Sequence, residues 1–307
     1  LGRRALARLA IGPRHSTCLP AIAFRVVNFV QGGKVIRNLV ATMPFVSFAQ
    51  NFEDAMLWRA LRHVESGFYI DVGAQSPDVD SVTRAFSERG WHGINVEPHP
   101  AFHRQLCERR PRDVNLRLAV GASDGSVTMN FIDETGLSTA DVDVAQFHKS
   151  SGRQLSSATV GMQALATLWD RYVPEAAQVH FLKIDVEGFE RAVLEGADWA
   201  RHRPWVVVVE AMKPSMQVES HEAWEAILLG AGYVFAYADG LNRIYVASEH
   251  NDLLPAFKYP PNVFDGVVPS TLAAEQARLM AEQARVVAEQ ARATALEAQV
   301  HELHKQR

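Results

Sequence analysis

The sequence predicts an α/β fold: a parallel sheet with one antiparallel edge strand, covered by helices and followed by an α-helical coiled-coil tail. Three observations carry this prediction. Apolar runs of strand length alternate with amphipathic, helix-length segments from residue 52 to residue 229. Most of those runs are apolar almost throughout, as in strands buried on both faces. A seven-residue repeat, Ala-Glu-Gln-Ala-Arg at 274–278, 281–285 and 288–292, then fills the C-terminal end.

The elements follow in order. Phe52 to Val64 reads as an amphipathic helix, with Asn51 as N-cap and Glu53 and Asp54 in its first turn. A strand at 68–73 precedes a helix at 79–89, stopped by Gly90. A second strand at 92–97 leads into a helix opened by Pro98 and Pro100 and ending near Arg109. The third strand is expected at 114–120, and Ser126 to Ile132 alternates like a further strand. Residues 133–159 are polar and rich in Gly and Ser, which predicts a long loop with weak structure and the character of a lid. A helix at 163–172, a strand from Val179 to Asp185 and a helix at 188–196 come next. Trp205 to Glu210 holds four consecutive valines and reads as the fifth strand. His221 to Leu229 is helical in pattern. Tyr233 to Ala238 and Arg243 to Ala247 form a closing hairpin around Asp239-Gly240-Leu241-Asn242, a plain turn whose Asn242 and Arg243 are also placed to touch a substrate.

The domain plan has three parts: a basic extension at 1–42, a catalytic-sized body at 43–268 and a helical tail at 269–307. Residues 1–42 carry seven Lys/Arg and no Asp or Glu. That composition suits a membrane surface or an import signal. Equally, Met43-Pro44 reads as a natural start, with 1–42 as upstream sequence outside the fold. The apolar run from Leu19 to Val30 contains Pro20 and Arg25 and is too short to span a bilayer. Residues 43–270 hold 19 Lys/Arg against 30 Asp/Glu, so the body is acidic and a poor polyanion binder, which excludes nucleic acid as a partner. The two cysteines, Cys18 and Cys107, have no metal spacing and form no disulfide framework, which predicts a cytoplasmic location, peripheral to the membrane if the basic segment acts there.

Four strand ends carry chemistry. Phe68-Tyr69-Ile70-Asp71-Val72-Gly73-Ala74 ends in an acid and a tight Gly turn, and Gly93-Ile94-Asn95-Val96-Glu97-Pro98 ends in a second acid. Side by side, the two make a nucleoside pocket: Gly73 allows close backbone approach, and Glu97 can accept both ribose hydroxyls. Phe181-Leu182-Lys183-Ile184-Asp185-Val186-Glu187-Gly188-Phe189-Glu190 delivers further acids to the same edge, and Glu210 ends the next strand. Crowded carboxylates are costly unless a sulfonium, a sugar or a divalent metal meets them. Lys183 is expected to pair with a neighbouring acid. Glu190 reads as an acid that favours the helix dipole, and Glu187 reads equally well as one.

Together with Val-Val-Val-Glu210-Ala, these segments resemble the FkbM family of S-adenosylmethionine-dependent methyltransferases. The resemblance spans about 44–268 with the segments in family order. The segments Ala49-Gln50-Asn51-Phe52-Glu53-Asp54 and Ser220-His221-Glu222-Ala-Trp224 are similar to a subgroup often fused to glycosyltransferase domains. The resemblance implies a class I methyltransferase, Rossmann-like fold and O-methylation of a sugar hydroxyl. Asp71 and Gly73 would line the methionine end of S-adenosyl-L-methionine. Glu97 would hold the ribose diol, and Ala119 and Val120 would lie near adenine. Gln75 stands where the family usually has Asn, and its amide would lie near the cofactor carboxylate. Asp185, Glu187 and His221 are the candidates for activating the acceptor hydroxyl, with metal assistance left open. His221 reads equally well as a surface residue at a helix start.

The expected partners are a sugar or glycan acceptor and, through the tail, a second copy or a fused or partner glycosyltransferase. Alanines at 274, 277, 281, 284, 288, 291, 295 and 298 alternate spacings of three and four, a heptad seam flanked by Met280 and Val287. A nicotinamide oxidoreductase is excluded by the absence of G-x-G-x-x-G after the first strand and by Pro77. The remaining alternative is an inactive methyltransferase-like scaffold that assembles a glycan-synthesis complex through its tail.

Overall fold

A computed structural model describes residues 44–132, 135–213, 216 and 218–305, together with a short antiparallel pair, β1 (Val30–Gln31) and β2 (Lys34–Val35). The Leu19–Val30 run as a whole and Cys18 lie outside the described residues. Pro44–Ser270 forms one compact unit.

That unit opens with β3 (Phe45–Ser47) and α1 (Glu53–Leu61), then β4 (Phe68–Val72), α2 (Arg84–Glu88), β5 (His92–Val96), α3 (Pro100–Arg109) and β6 (Val114–Leu116). It continues through β7 (Ala119–Gly121), β8 (Gly125–Phe131), α4 (Val142–Ser150), β9 (Ser156–Ala164), α5 (Leu165–Tyr172), β10 (Val179–Ile184) and α6 (Glu190–Glu195). It closes with β11 (Val206–Glu210), α7 (Glu225–Gly230), β12 (Tyr233–Ala238), β13 (Asn242–Ala247) and β14 (Val267–Pro269).

The main sheet has seven strands in the order β12-β13-β11-β10-β4-β5-β6. Strands β4, β5, β6, β10 and β11 are mutually parallel, and β13 is antiparallel to both its neighbours. The antiparallel strand is therefore one in from the edge, and β12 forms the edge itself. The two-residue side-chain period sorts the core into two faces. Ile70, Val72, Leu182, Ile184, Val207 and Val209 pack with Leu168, Val193 and Leu228. Tyr69, Phe181, Val206, Val208 and Ile244 pack with Met56, Leu57, Phe86 and Phe257. The same period places Asp71, Lys183 and Glu210 on this second face, at the C-terminal ends of three neighbouring strands.

Two expectations are corrected. The third strand divides after Leu116: β6 pairs with β5, whereas β7 leaves to join a separate sheet of order β7-β9-β8. The 133–159 loop contains α4 and the first four residues of β9. Asp141 caps α4 by accepting from the Val144 N–H at 2.9 Å, and β9 pairs antiparallel with all of β8. The start of β9 is polar because it faces solvent, so it carries no apolar signal.

Helix α1 also starts differently from the predicted N-cap. It follows Phe52, whose φ is 63°, and Asn51 contributes its backbone N–H to Glu53 Oε2 at 2.9 Å. Buried Glu53 also accepts from Asn242 Nδ2 at 2.6 Å, which ties α1 to the closing hairpin. Asn242 and Arg243 thus act inside the fold, Arg243 by donating to Glu225 at 2.8 Å.

The C-terminal helix α8 (Ser270–Lys305) runs for 36 residues. Leu272, Leu279, Val286 and Val300 are exposed along it at multiples of seven residues. Among the described residues no helix is long and apolar enough to cross a membrane.

Replacing Glu53 with Ala leaves the buried Asn242 amide short of an acceptor. Urea denaturation should show a loss of about 1–3 kcal/mol, and an unchanged midpoint would contradict this link.

Candidate functional site

A cavity of about 240 Å³ lies at the C-terminal ends of β4, β5 and β10. Gly73, Gln75, Glu97, Ala119, Val120, Asp185 and Glu187 all line it, so seven of the candidate residues share one space. The Gly73 turn, with φ of 81°, brings the end of β4 against Asp185, the residue that follows β10. A side-chain carbon at position 73 would coincide with the Asp185 carbonyl oxygen, so glycine here serves strand-end packing as well as cavity shape.

Glu97 is 5% exposed and oriented by its own backbone surroundings. Its Oε2 accepts from the Gln75 N–H at 2.8 Å, and its Oε1 accepts from the His99 N–H at 2.7 Å. Burial pushes its pKa up to about 7 against those two hydrogen bonds. Each oxygen keeps lone-pair capacity for a further donor. Gln75 has a φ of 46°, and its amide packs against Gly136, which lines the same cavity.

Asp71 stands apart from the prediction. It is buried beneath the cavity and does not line it. Thr83 Oγ1 donates to its Oδ2 at 3.1 Å, and Lys183 Nζ is 3.5 Å from its Oδ1. Lys183, itself 7% exposed, also donates to the Gly73 carbonyl at 2.8 Å and sits 3.3 Å from Asp185 Oδ2. Burial works against the ammonium charge, but Asp185 and Asp71 outweigh it and raise its pKa. One buried cation therefore joins β4, its Gly turn and the end of β10. Asp71 is pushed up by burial, with Lys183 opposing.

The acidic side of the cavity is built by the turn after β10. Glu187 adopts a φ of 55°, and its carbonyl accepts from Thr139 Oγ1 at 2.7 Å. Burial, then Asp185 and Glu190, push the Glu187 pKa up. Glu190 is occupied by the turn itself, accepting from the Gly188 N–H at 3.0 Å and the Val186 N–H at 3.2 Å. His221 is not brought into the cavity. It lies in the single turn His221–Ala223, with Nδ1 3.0 Å from Glu219 Oε2. Its side chain is 13% exposed, so it lies outside the cavity without being a surface residue.

Sequence reasoning missed several lining residues. Residues 135–138 and Ala140 form one wall, and Phe102 and Met129 project from α3 and β8. The polar 133–159 stretch signals part of this wall through its lid-like composition. Phe102 and Met129 carry no signal, because single apolar residues on amphipathic elements look like core.

The sequence profile of the methyltransferase FkbM domain matches residues 71–235. The chain belongs to this family. Among solved structures, methyltransferase FkbM from Methylobacillus flagellatus is similar at 16% identity and a TM-score of 0.38, over 59% of this chain and 44% of that one. The chain thus spans less than half the length of that FkbM protein. No curated protein sequence matches the chain.

Two predictions follow from the charge arrangement. Lys183→Met strands Asp71 without its cation and should cost about 3–5 kcal/mol of stability, read by denaturant titration; a loss within about 0.5 kcal/mol would contradict the buried pair. The second concerns pH. Burial raises Glu53, Glu97 and Glu190 to about 7 and Asp54 to about 6. The folded chain holds protons there that the unfolded chain has released. The stability from these groups is full below the ordinary carboxyl range and is lost as pH rises through the folded values. The ligand-free protein should therefore be less stable at pH 8 than at pH 5, and the reverse trend would overturn this assignment.

Proposed function

We propose that this chain is an S-adenosylmethionine-dependent O-methyltransferase that methylates a sugar hydroxyl in glycan or polysaccharide biosynthesis. Membership of the FkbM family supports methyl transfer. The observation that carries the rest is that Glu97 and the Asp185–Glu187 pair line one cavity. The acid suited to a ribose diol and the acids suited to an acceptor hydroxyl face the same space.

In this reading, the fold is a class I methyltransferase, Rossmann-like sheet with its ligand beyond the parallel strand ends. Glu97, steered by the Gln75 and His99 N–H groups, accepts the two ribose hydroxyls. Ala119 and Val120 supply an apolar wall for adenine. Gly73 and Gln75 flank the methionine end, and Asp71 acts from below by holding Lys183.

Methyl transfer is an in-line displacement. The acceptor oxygen bonds to the methyl carbon as the carbon–sulfur bond breaks, and that electron pair stays on sulfur to give S-adenosylhomocysteine. The hydroxyl proton passes to a carboxylate of Asp185 or Glu187. Burial and the neighbouring Asp185 and Glu190 charges raise the proton affinity of Glu187, the direction that proton acceptance needs. An acidic acceptor side favours hydrogen-bond donors, which suits a sugar polyol. Exposed apolar residues at seven-residue spacing on α8 support a coiled coil, either with a second copy or with a glycosyltransferase partner.

Calorimetry with S-adenosylhomocysteine tests the pocket. Glu97→Ala removes two charge-assisted hydrogen bonds of about 1.5–3 kcal/mol each, so affinity should fall by about a hundredfold or more. Unchanged affinity in a folded variant would sink the assignment. Methyl-labelled cofactor should label hydroxyl groups of sugar acceptors; labelling confined to amines would contradict the acceptor class.

A further inference from the structure

Strand register decides where a third carboxylate meets the acidic turn. Ile184 pairs with Val209, so Asp185 and Glu210 are the next residues off two adjacent parallel strands. The Glu187 turn then folds its carboxylate towards both. One carboxylate oxygen from each of Asp185, Glu187 and Glu210 lies within 4.8 Å of the others. Oxygens bound to one hard cation at about 2.0–2.6 Å lie about 3–5 Å apart. The three are compact enough to share a single ion.

A second observation, independent of the number of acids, points to a ligand. Glu210 is only 8% exposed, and its Oε2 is enclosed without any hydrogen-bond donor. Glu187 Oε2 is enclosed and unpartnered in the same way. Three other buried acids have donors: Glu97 and Glu190 take backbone N–H groups, and Asp54 takes the Ser47 hydroxyl and the Phe48 N–H. The nearby ammonium of Lys183 is committed to Asp71, Asp185 and the Gly73 carbonyl. Buried carboxylate oxygens that face one another without donors are costly unless a cation joins them.

We propose that Asp185, Glu187 and Glu210 form a binding site for a hard divalent cation of the Mg²⁺ or Mn²⁺ class. Oxygen-only ligands select such ions over the soft ones. Three protein carboxylates leave coordination positions open, and these suit water or adjacent hydroxyl oxygens of an acceptor. That use of the open positions rests on the methyltransferase reading above; the site itself rests on the carboxylates alone.

The test is titration of Mn²⁺ into the full chain, following free Mn²⁺ by electron paramagnetic resonance, with S-adenosylhomocysteine binding measured on the same preparation. The expected result is one Mn²⁺ per chain, displaced by Mg²⁺ and weakened by at least about tenfold in both Glu210→Gln and Glu187→Gln. Circular dichroism establishes folding, and if Glu210→Gln does not fold, Glu187→Gln, in the turn after β10, decides alone. No Mn²⁺ binding, or binding that survives the substitutions in folded protein, overturns the site. S-adenosylhomocysteine binding without Mn²⁺ rejects the site and leaves the cofactor reading standing; Mn²⁺ binding without S-adenosylhomocysteine keeps the site and rejects that reading.

Discussion

One buried ammonium organises the C-terminal strand edge of the sheet. Lys183 lies between Asp71 and Asp185 and donates to the Gly73 carbonyl. Parallel strands place their C-terminal ends together, but packing alone does not decide how their loops leave. Lys183 decides it for β4 and β10 by joining both to one charge. Gly73 completes the arrangement, since only the absence of a side chain lets its turn rest on the Asp185 carbonyl. With Asp71 held in the interior, the cavity wall above it is left to Gly73, Gln75 and Glu97.

The edge divides its acids into two kinds, with different energetic consequences. Glu97, Glu190 and Asp54 are buried but well supplied with donors, so each is a fixed element of local structure. Glu187 and Glu210 are enclosed with oxygens left over, and burial followed by the charge of Asp185 pushes both upwards. The first kind shapes the pocket. The second kind stores an electrostatic cost that a ligand can relieve, so binding there gains from the release of a strain already present in the fold. The left-handed backbone at Glu187 and Gln75 falls in the same region, where turns are held by their surroundings.

Much of this was legible in the sequence, and the exceptions have physical reasons. Strands β4, β10 and β11 are rich in aliphatic and aromatic residues, and with β5 they end at or beside acids, so their type and order could be read. Glu97 was readable because a carboxylate ending a buried strand needs a purpose. Strand β9 was hidden by its solvent-facing Ser and Thr residues, and the split of the third strand by pairing choices that a single chain segment does not encode. Asp71 and His221 were misplaced for opposite reasons: Asp71 faces inward with Lys183, and His221 sits among Glu219 and Glu225 outside the cavity. Both are decided by side-chain direction, which strand-end position alone leaves open. Glu53 and Asn242 were read as local first-turn and hairpin-turn residues, yet they meet across 189 positions of sequence.

The central claim is that the cavity at the strand ends receives the cofactor. Hydrogen exchange read by mass spectrometry, with and without S-adenosylhomocysteine, tests this most directly because it maps the contact without any substitution. The account predicts added protection at 73–75, 96–98, 118–120 and 135–140, with β12 and α8 unchanged. Saturating S-adenosylhomocysteine that leaves those four segments unprotected, or protects a different region, would contradict it.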